Sequence, residues 1–84
     1  MTAADIRAEL TALFRTILDD PGLELRADDR EGDIAGFDSG KKVLLLLAVE
    51  ERFDVRLRSR EIDALRTVGD WVALVHRHCA AKAG

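Results

Sequence analysis

Few residues in this chain are able to do chemistry. Ser39 follows directly on Asp38 where an apolar run begins, and Lys41 and Lys42 lie within the next turn. Taken alone, a serine at such a place is a cap, because serine and aspartate accept the orphan N–H groups of a first helical turn. It becomes a nucleophile for acyl chemistry only with a base beside it, and no histidine is expected near Ser39. His76 and His78 are two positions apart in a helical segment near the C-terminal end, so they point in different directions. Surface side chains suit them better than a metal pair or a catalytic base. Cys79 is the single cysteine, which excludes an internal disulfide, and no zinc-like ligand spacing accompanies it. Neither a catalytic residue nor a metal site is expected.

The elements that must hold Ser39 read as helices. Ile6, Leu10, Leu13, Phe14, Ile17 and Leu18 recur at helical spacing, which predicts an amphipathic helix from about Ala4 to Leu18. Asp19-Asp20-Pro21-Gly22 stops it, since proline disfavours helix in the residue before it. Leu23 to Asp38 shows no sustained period and reads as a long loop anchored by Leu23, Leu25 and Ile34, with a charged stretch from Asp28 to Asp33. A second helix is expected from Ser39 to Phe53, capped by Asp38 or Ser39, with Leu45, Leu46, Val49 and Phe53 toward the core. Ser59 is the expected cap of a short third helix reaching Leu65. Thr67 and Asp70 approximate a capping box before a last helix whose buried stripe is Val68, Trp71, Val72, Val75 and Cys79. The predicted fold is all-α, a small bundle of three main helices plus a short one, with a long loop between the first two.

Size and charge narrow the function further. A chain of 84 residues is one domain, expected to span 1–84, and leaves little room for an enzyme's cleft. Its apolar fraction of 48% and charged fraction of 35% suit a soluble domain. Asp5, Arg7 and Glu9 break any signal-peptide run, and Val43 to Val49 is too short to cross a bilayer, so a cytoplasmic protein without membrane contact is expected. Met1 to Asp38 carries ten acidic and four basic residues, and Ser39 to Gly84 six acidic and nine basic. Net acidity and an aromatic content of 5% disfavour nucleic acid as partner. A protein partner is the expectation.

Gly36-Phe37-Asp38-Ser39, then an apolar helix ending in Glu50-Glu51-Arg52-Phe53, resembles the acyl carrier protein family. Asp38, Ser39, Val43, Glu50, Glu51 and Phe53 match its pattern without a gap, and Thr67-Val68 matches the start of its final helix. The resemblance covers essentially the whole chain. It implies that Ser39 is the attachment point for phosphopantetheine, transferred from coenzyme A by a magnesium-dependent phosphopantetheinyl transferase. The carrier is then a substrate rather than a catalyst, and the thiol of the arm holds acyl groups as thioesters. A helix N-terminus offers unpaired N–H groups and a positive dipole end to a phosphodiester. Asp38, Lys41 and Lys42 would complete that surrounding.

The chain departs from the family where leucine usually follows the serine, because Gly40 stands there. Lys41 and Lys42 occupy positions often acidic or neutral in fatty-acid carriers, and Arg52, Arg56, Arg58 and Arg60 extend the basic character. The resemblance therefore implies a free-standing, specialised carrier, closest in its Gly-Phe-Asp-Ser string to polyketide types. An aminoacyl or peptidyl carrier and an unmodified interaction module are the alternatives. Helical geometry from Ser39 places Gly40, Leu44, Leu47 and Glu51 on one face, with Lys41 and Ala48 at its margin. That face, with Arg52 and Arg56 nearby, is the expected docking surface for an acyl-loading ligase or acyltransferase and for later acyl-processing enzymes. The protein is expected to be a monomer.

Overall fold

Thr2 starts the first helix. Its hydroxyl accepts the N–H of Asp5 at 3.1 Å while the Asp5 carboxylate accepts the N–H of Thr2 at 3.1 Å, a reciprocal cap that sets α1 at Ala3–Leu18, one residue earlier than the apolar spacing indicates. Asp19 ends it in the left-handed conformation, with φ 52°, and its N–H reaches back to the carbonyls of Arg15 and Thr16. The computed structural model describes residues 1–83. Within them follow a short 3-10 turn at Glu31–Asp33, α2 at Ser39–Phe53, α3 at Ser59–Asp63 and α4 at Val68–Ala83. No strand forms among the described residues, and a single antiparallel bridge joins Arg30 to Thr67.

One apolar interior explains the order of elements. Ile6, Leu10 and Phe14 of α1 meet Leu45, Val49 and Phe53 of α2 and Val68, Trp71, Val72, Leu74 and Val75 of α4. α1 packs against both α2 and α4. Leu46 and Cys79, expected in the buried stripes, are half-buried against this cluster, whereas Leu74 is buried without having stood out in the pattern.

The long loop is tied down by its backbone as well as by its anchors. Ile34 is buried and Leu23 and Leu25 are half-buried against the core, as the sequence indicates. The carbonyls of Asp29 and Ala27 accept the N–H groups of Val68 at 2.9 Å and Gly69 at 2.7 Å, so the loop satisfies orphan donors at the start of α4. A Cβ on residue 69 would lie 2.9 Å from the Ala27 carbonyl oxygen, which is why glycine stands there. Thr67 and Asp70 form the expected reciprocal cap, with both bonds at 3.1 Å.

Three expectations are corrected in the C-terminal half. α3 stops at Asp63 rather than Leu65, and its cap position is Arg58 rather than Ser59. The Glu61 carboxylate accepts the Arg58 N–H at 3.0 Å, so the acid does the capping that a serine hydroxyl was expected to do. His78 is not a plain surface residue: its Nε2 lies 3.1 Å from Glu61 and ties α4 to α3. His76 is exposed as expected.

Candidate functional site

Gly36, with φ 81°, turns the chain ahead of Ser39, a conformation that side chains with a Cβ rarely adopt. Beyond that turn Phe37 folds inward, its ring 5.3 Å from that of Phe14, and Asp38 arrives in extended conformation at the head of α2. The Asp38 carboxylate accepts the N–H of Lys41 at 2.8 Å and is the N-cap. That leaves Ser39 at the first helical position, exposed, with its hydroxyl outside every hydrogen bond among the described residues. The N–H groups of Ser39 and Gly40 are likewise without an acceptor there, as the opening of a helix dictates.

A shallow recess beside Ser39 is lined by Glu31, Gly32, Phe37, Asp38 and Lys42. Lys42 donates to the Glu31 carboxylate at 3.0 Å, so the ammonium expected beside a phosphodiester is already paired. The other Glu31 oxygen accepts the indole N–H of Trp71 from α4. Lys41 is half-buried and forms no ion pair among the described residues. Gly40 is exposed, and a Cβ placed on it would meet only the Asp38 carboxylate, at 3.4 Å.

The predicted docking face divides. Leu44 and Leu47 are 50% and 58% exposed, Glu51 is exposed, and Ala48 sits half-buried at the margin as its position on the helix requires. Val43, expected on the family pattern but not on this face, is 55% exposed and extends the apolar surface. Arg52 turns the other way: it pairs with Glu9 of α1 at 2.8 Å and lies over the Phe53 ring. Arg56 is exposed. The Glu50 carboxylate is not part of the face either, since it accepts the N–H of Leu57 at 2.9 Å and holds the segment after α2.

Sequence reasoning missed Glu31 altogether, and no local signal reveals it. It belongs to a run of charges, and its indole partner lies forty residues on. A surface recess of about 570 Å³ includes Ala3, Arg7, Val72, His76 and Arg77 and touches none of the residues around Ser39.

Residues 8–75, which include every residue of this helix head, match the family model described as a phosphopantetheine attachment site. The chain belongs to the acyl carrier protein family. The solution structure of the holo acyl carrier protein from Geobacter metallireducens superimposes with a TM-score of 0.86 at 28% identity, over 93% of this chain and 90% of that one. A candidate acyl carrier protein from Mycobacterium tuberculosis gives 0.74 at 27% identity, over 92% and 97%. No curated protein matches the sequence. The family carries its cargo on covalently bound phosphopantetheine, and its members are carriers rather than enzymes. They work with a phosphopantetheinyl transferase and with acyl-processing enzymes. The head of α2 fits such a group, since it combines an exposed, unbonded hydroxyl with two unpaired N–H donors and an open recess.

Proposed function

We propose that Ser39 carries the phosphopantetheine arm and that the protein delivers acyl thioesters within a dedicated biosynthetic route of polyketide or related type. One observation supports the site above the others: Asp38 takes the capping bond to Lys41, so Ser39 is spared the role a serine in that place usually has. During attachment the Ser39 oxygen loses its proton and forms a bond to phosphorus, while the bond from that phosphorus to the nucleotide portion of coenzyme A breaks. The bound arm supplies a thiol that holds acyl groups as thioesters. The unpaired N–H groups of Ser39 and Gly40 and the positive end of α2 would hold a phosphodiester there. Lys41 and Lys42 add positive charge beside it.

Docking belongs to Leu44 and Leu47, with Val43 beside them and Gly40, Ala48 and Glu51 around them. Exposed apolar side chains in a row below the arm suit a small protein-binding patch. Lys41 and Arg56 steer partners toward it; Arg52 contributes less, because its guanidinium neutralises Glu9. A basic fringe favours enzymes with acidic docking rims and rejects those shaped for acidic carriers. No helix among the described residues is long and apolar enough to cross a membrane. The working form is a cytoplasmic monomer with one carrier domain, loaded by a ligase or acyltransferase. Loading trials with acyl and aminoacyl donors on the modified protein test this reading: acyl thioester formation supports it, and loading by aminoacyl donors alone overturns it.

A further inference from the structure

Glu31 is the most connected side chain near Ser39, yet its place in a charged loop gives it no obvious purpose. Its carboxylate is only 14% exposed and has both oxygens engaged, one by Lys42 of α2 and the other by the Trp71 indole of α4. Its own N–H bonds to the Arg66 carbonyl at 2.9 Å, and its carbonyl accepts the Ile34 N–H at 3.2 Å, so the backbone beneath the carboxylate is fixed as well. A carboxylate this enclosed requires a counter-charge, and among the described residues Lys42 is the cation that supplies it.

Lys42 also borders the attachment point. Lys42 lies three residues beyond Ser39 on α2, where side chains share a helix face, and both residues line one recess. An ammonium offers several N–H donors, and Glu31 uses one. A lysine free of Glu31 would spread its long side chain through solvent and lose rotamer freedom on meeting an anion. Held by Glu31, it is ordered beforehand and 22% exposed.

We propose that Glu31 is a positioning residue for phosphopantetheine attachment: it holds Lys42 ready for the phosphodiester on Ser39 and links that event to Trp71. This rests on Ser39 as the attachment point. When the phosphodiester draws part of the Lys42 charge, Glu31 is less neutralised and becomes a stronger acceptor for the indole N–H. The arm is thereby signalled from the head of α2 to the first turn of α4, where Trp71 is wholly buried. A simple structural staple between loop and helix would not respond to the arm at all.

Trp71 is the only tryptophan, so protein labelled with nitrogen-15 gives one indole resonance to follow. Apo protein is converted with coenzyme A, magnesium and a broad-specificity transferase, and the indole proton shift is recorded beside intact mass. The indole proton moves downfield on conversion, as a strengthened hydrogen bond requires. Lys42→Met moves it downfield already in the apo protein and removes the response to conversion. Glu31→Gln keeps an acceptor for the indole, loses the response, and lowers kcat/KM for conversion several-fold; adding Lys42→Met to it costs little more, because the two act as one unit. Complete conversion by mass with a stationary indole resonance overturns the inference and leaves Ser39 standing. Absence of conversion in the wild-type protein overturns the Ser39 reading itself.

Discussion

Leu44 and Leu45 are neighbours on α2 and should fail in opposite ways when cut back to alanine. Leu45 is wholly buried in the core, so Leu45→Ala removes packed atoms and leaves a cavity, at a cost of about 2–5 kcal/mol. Against a total stability of about 5–15 kcal/mol that is a large loss. Leu44 is 50% exposed. Full burial of a leucine is worth about 1.5–3 kcal/mol, so its covered half contributes roughly 1 kcal/mol to the fold. A partner that covers the other half gains about 1 kcal/mol more, or roughly fivefold in affinity. Leu47, 58% exposed, adds a similar amount, and the double replacement of Leu44 and Leu47 should weaken docking about thirtyfold. Urea unfolding and acyl-transfer kinetics with the cognate enzyme, measured on the same variants, separate the two effects. Leu45→Ala should lower the unfolding midpoint sharply, and the Leu44/Leu47 pair should raise KM for the carrier while remaining folded. Unchanged KM in the double variant, or a loss of stability at Leu44 equal to that at Leu45, refutes the assignment of this face.

Three further outcomes are expected. The N–H of Arg66, at 2.9 Å, and then that of Thr67 hold the Asp70 carboxyl below its ordinary 3.8. A depressed carboxylate stabilises the fold above its unfolded value and ceases to do so as pH falls through its folded value. Asp70→Asn should therefore flatten the acid limb of stability below about pH 4, as thermal melts across pH will show. Asp19→Gly should raise stability by about 0.5–1 kcal/mol, because a left-handed residue at φ 52° is strained with a Cβ and an acid is unfavourable at a helix C-terminus; chemical unfolding checks this. Cys79 is half-buried at the edge of the core, so Cys79→Ser should leave thioester loading through the arm unchanged, as read by mass after acylation.

The three long helices were legible because each carries an apolar stripe facing the one interior. Ile6, Leu10 and Phe14 repeat at helical spacing, and so do Leu45, Val49 and Phe53. The turn before Ser39 was not legible: Gly36 stood out only within the Gly-Phe-Asp-Ser string, and its left-handed backbone emerges with the fold. What stayed hidden depends on contacts remote in sequence. Asp29 and Glu31 sit in a run that looks like a solvated face, yet the Asp29 carbonyl caps α4 and the Glu31 carboxylate joins two helices. Arg52 looked like part of a basic docking fringe, but Glu9 stands opposite it on a helix thirty and more positions earlier. His78 looked idle because Glu61, its partner, lies on the far side of a turn. Charged side chains lack a periodic signature of burial, so their partners emerge only with the fold.

Ser39 as the attachment point is the central claim, and intact mass tests it most directly. Wild-type protein and Ser39→Ala are incubated with coenzyme A, magnesium and a broad-specificity phosphopantetheinyl transferase. The wild type should gain the mass of one phosphopantetheine and the alanine variant none; a folded alanine variant that still gains it, or a wild type that gains nothing, contradicts the account.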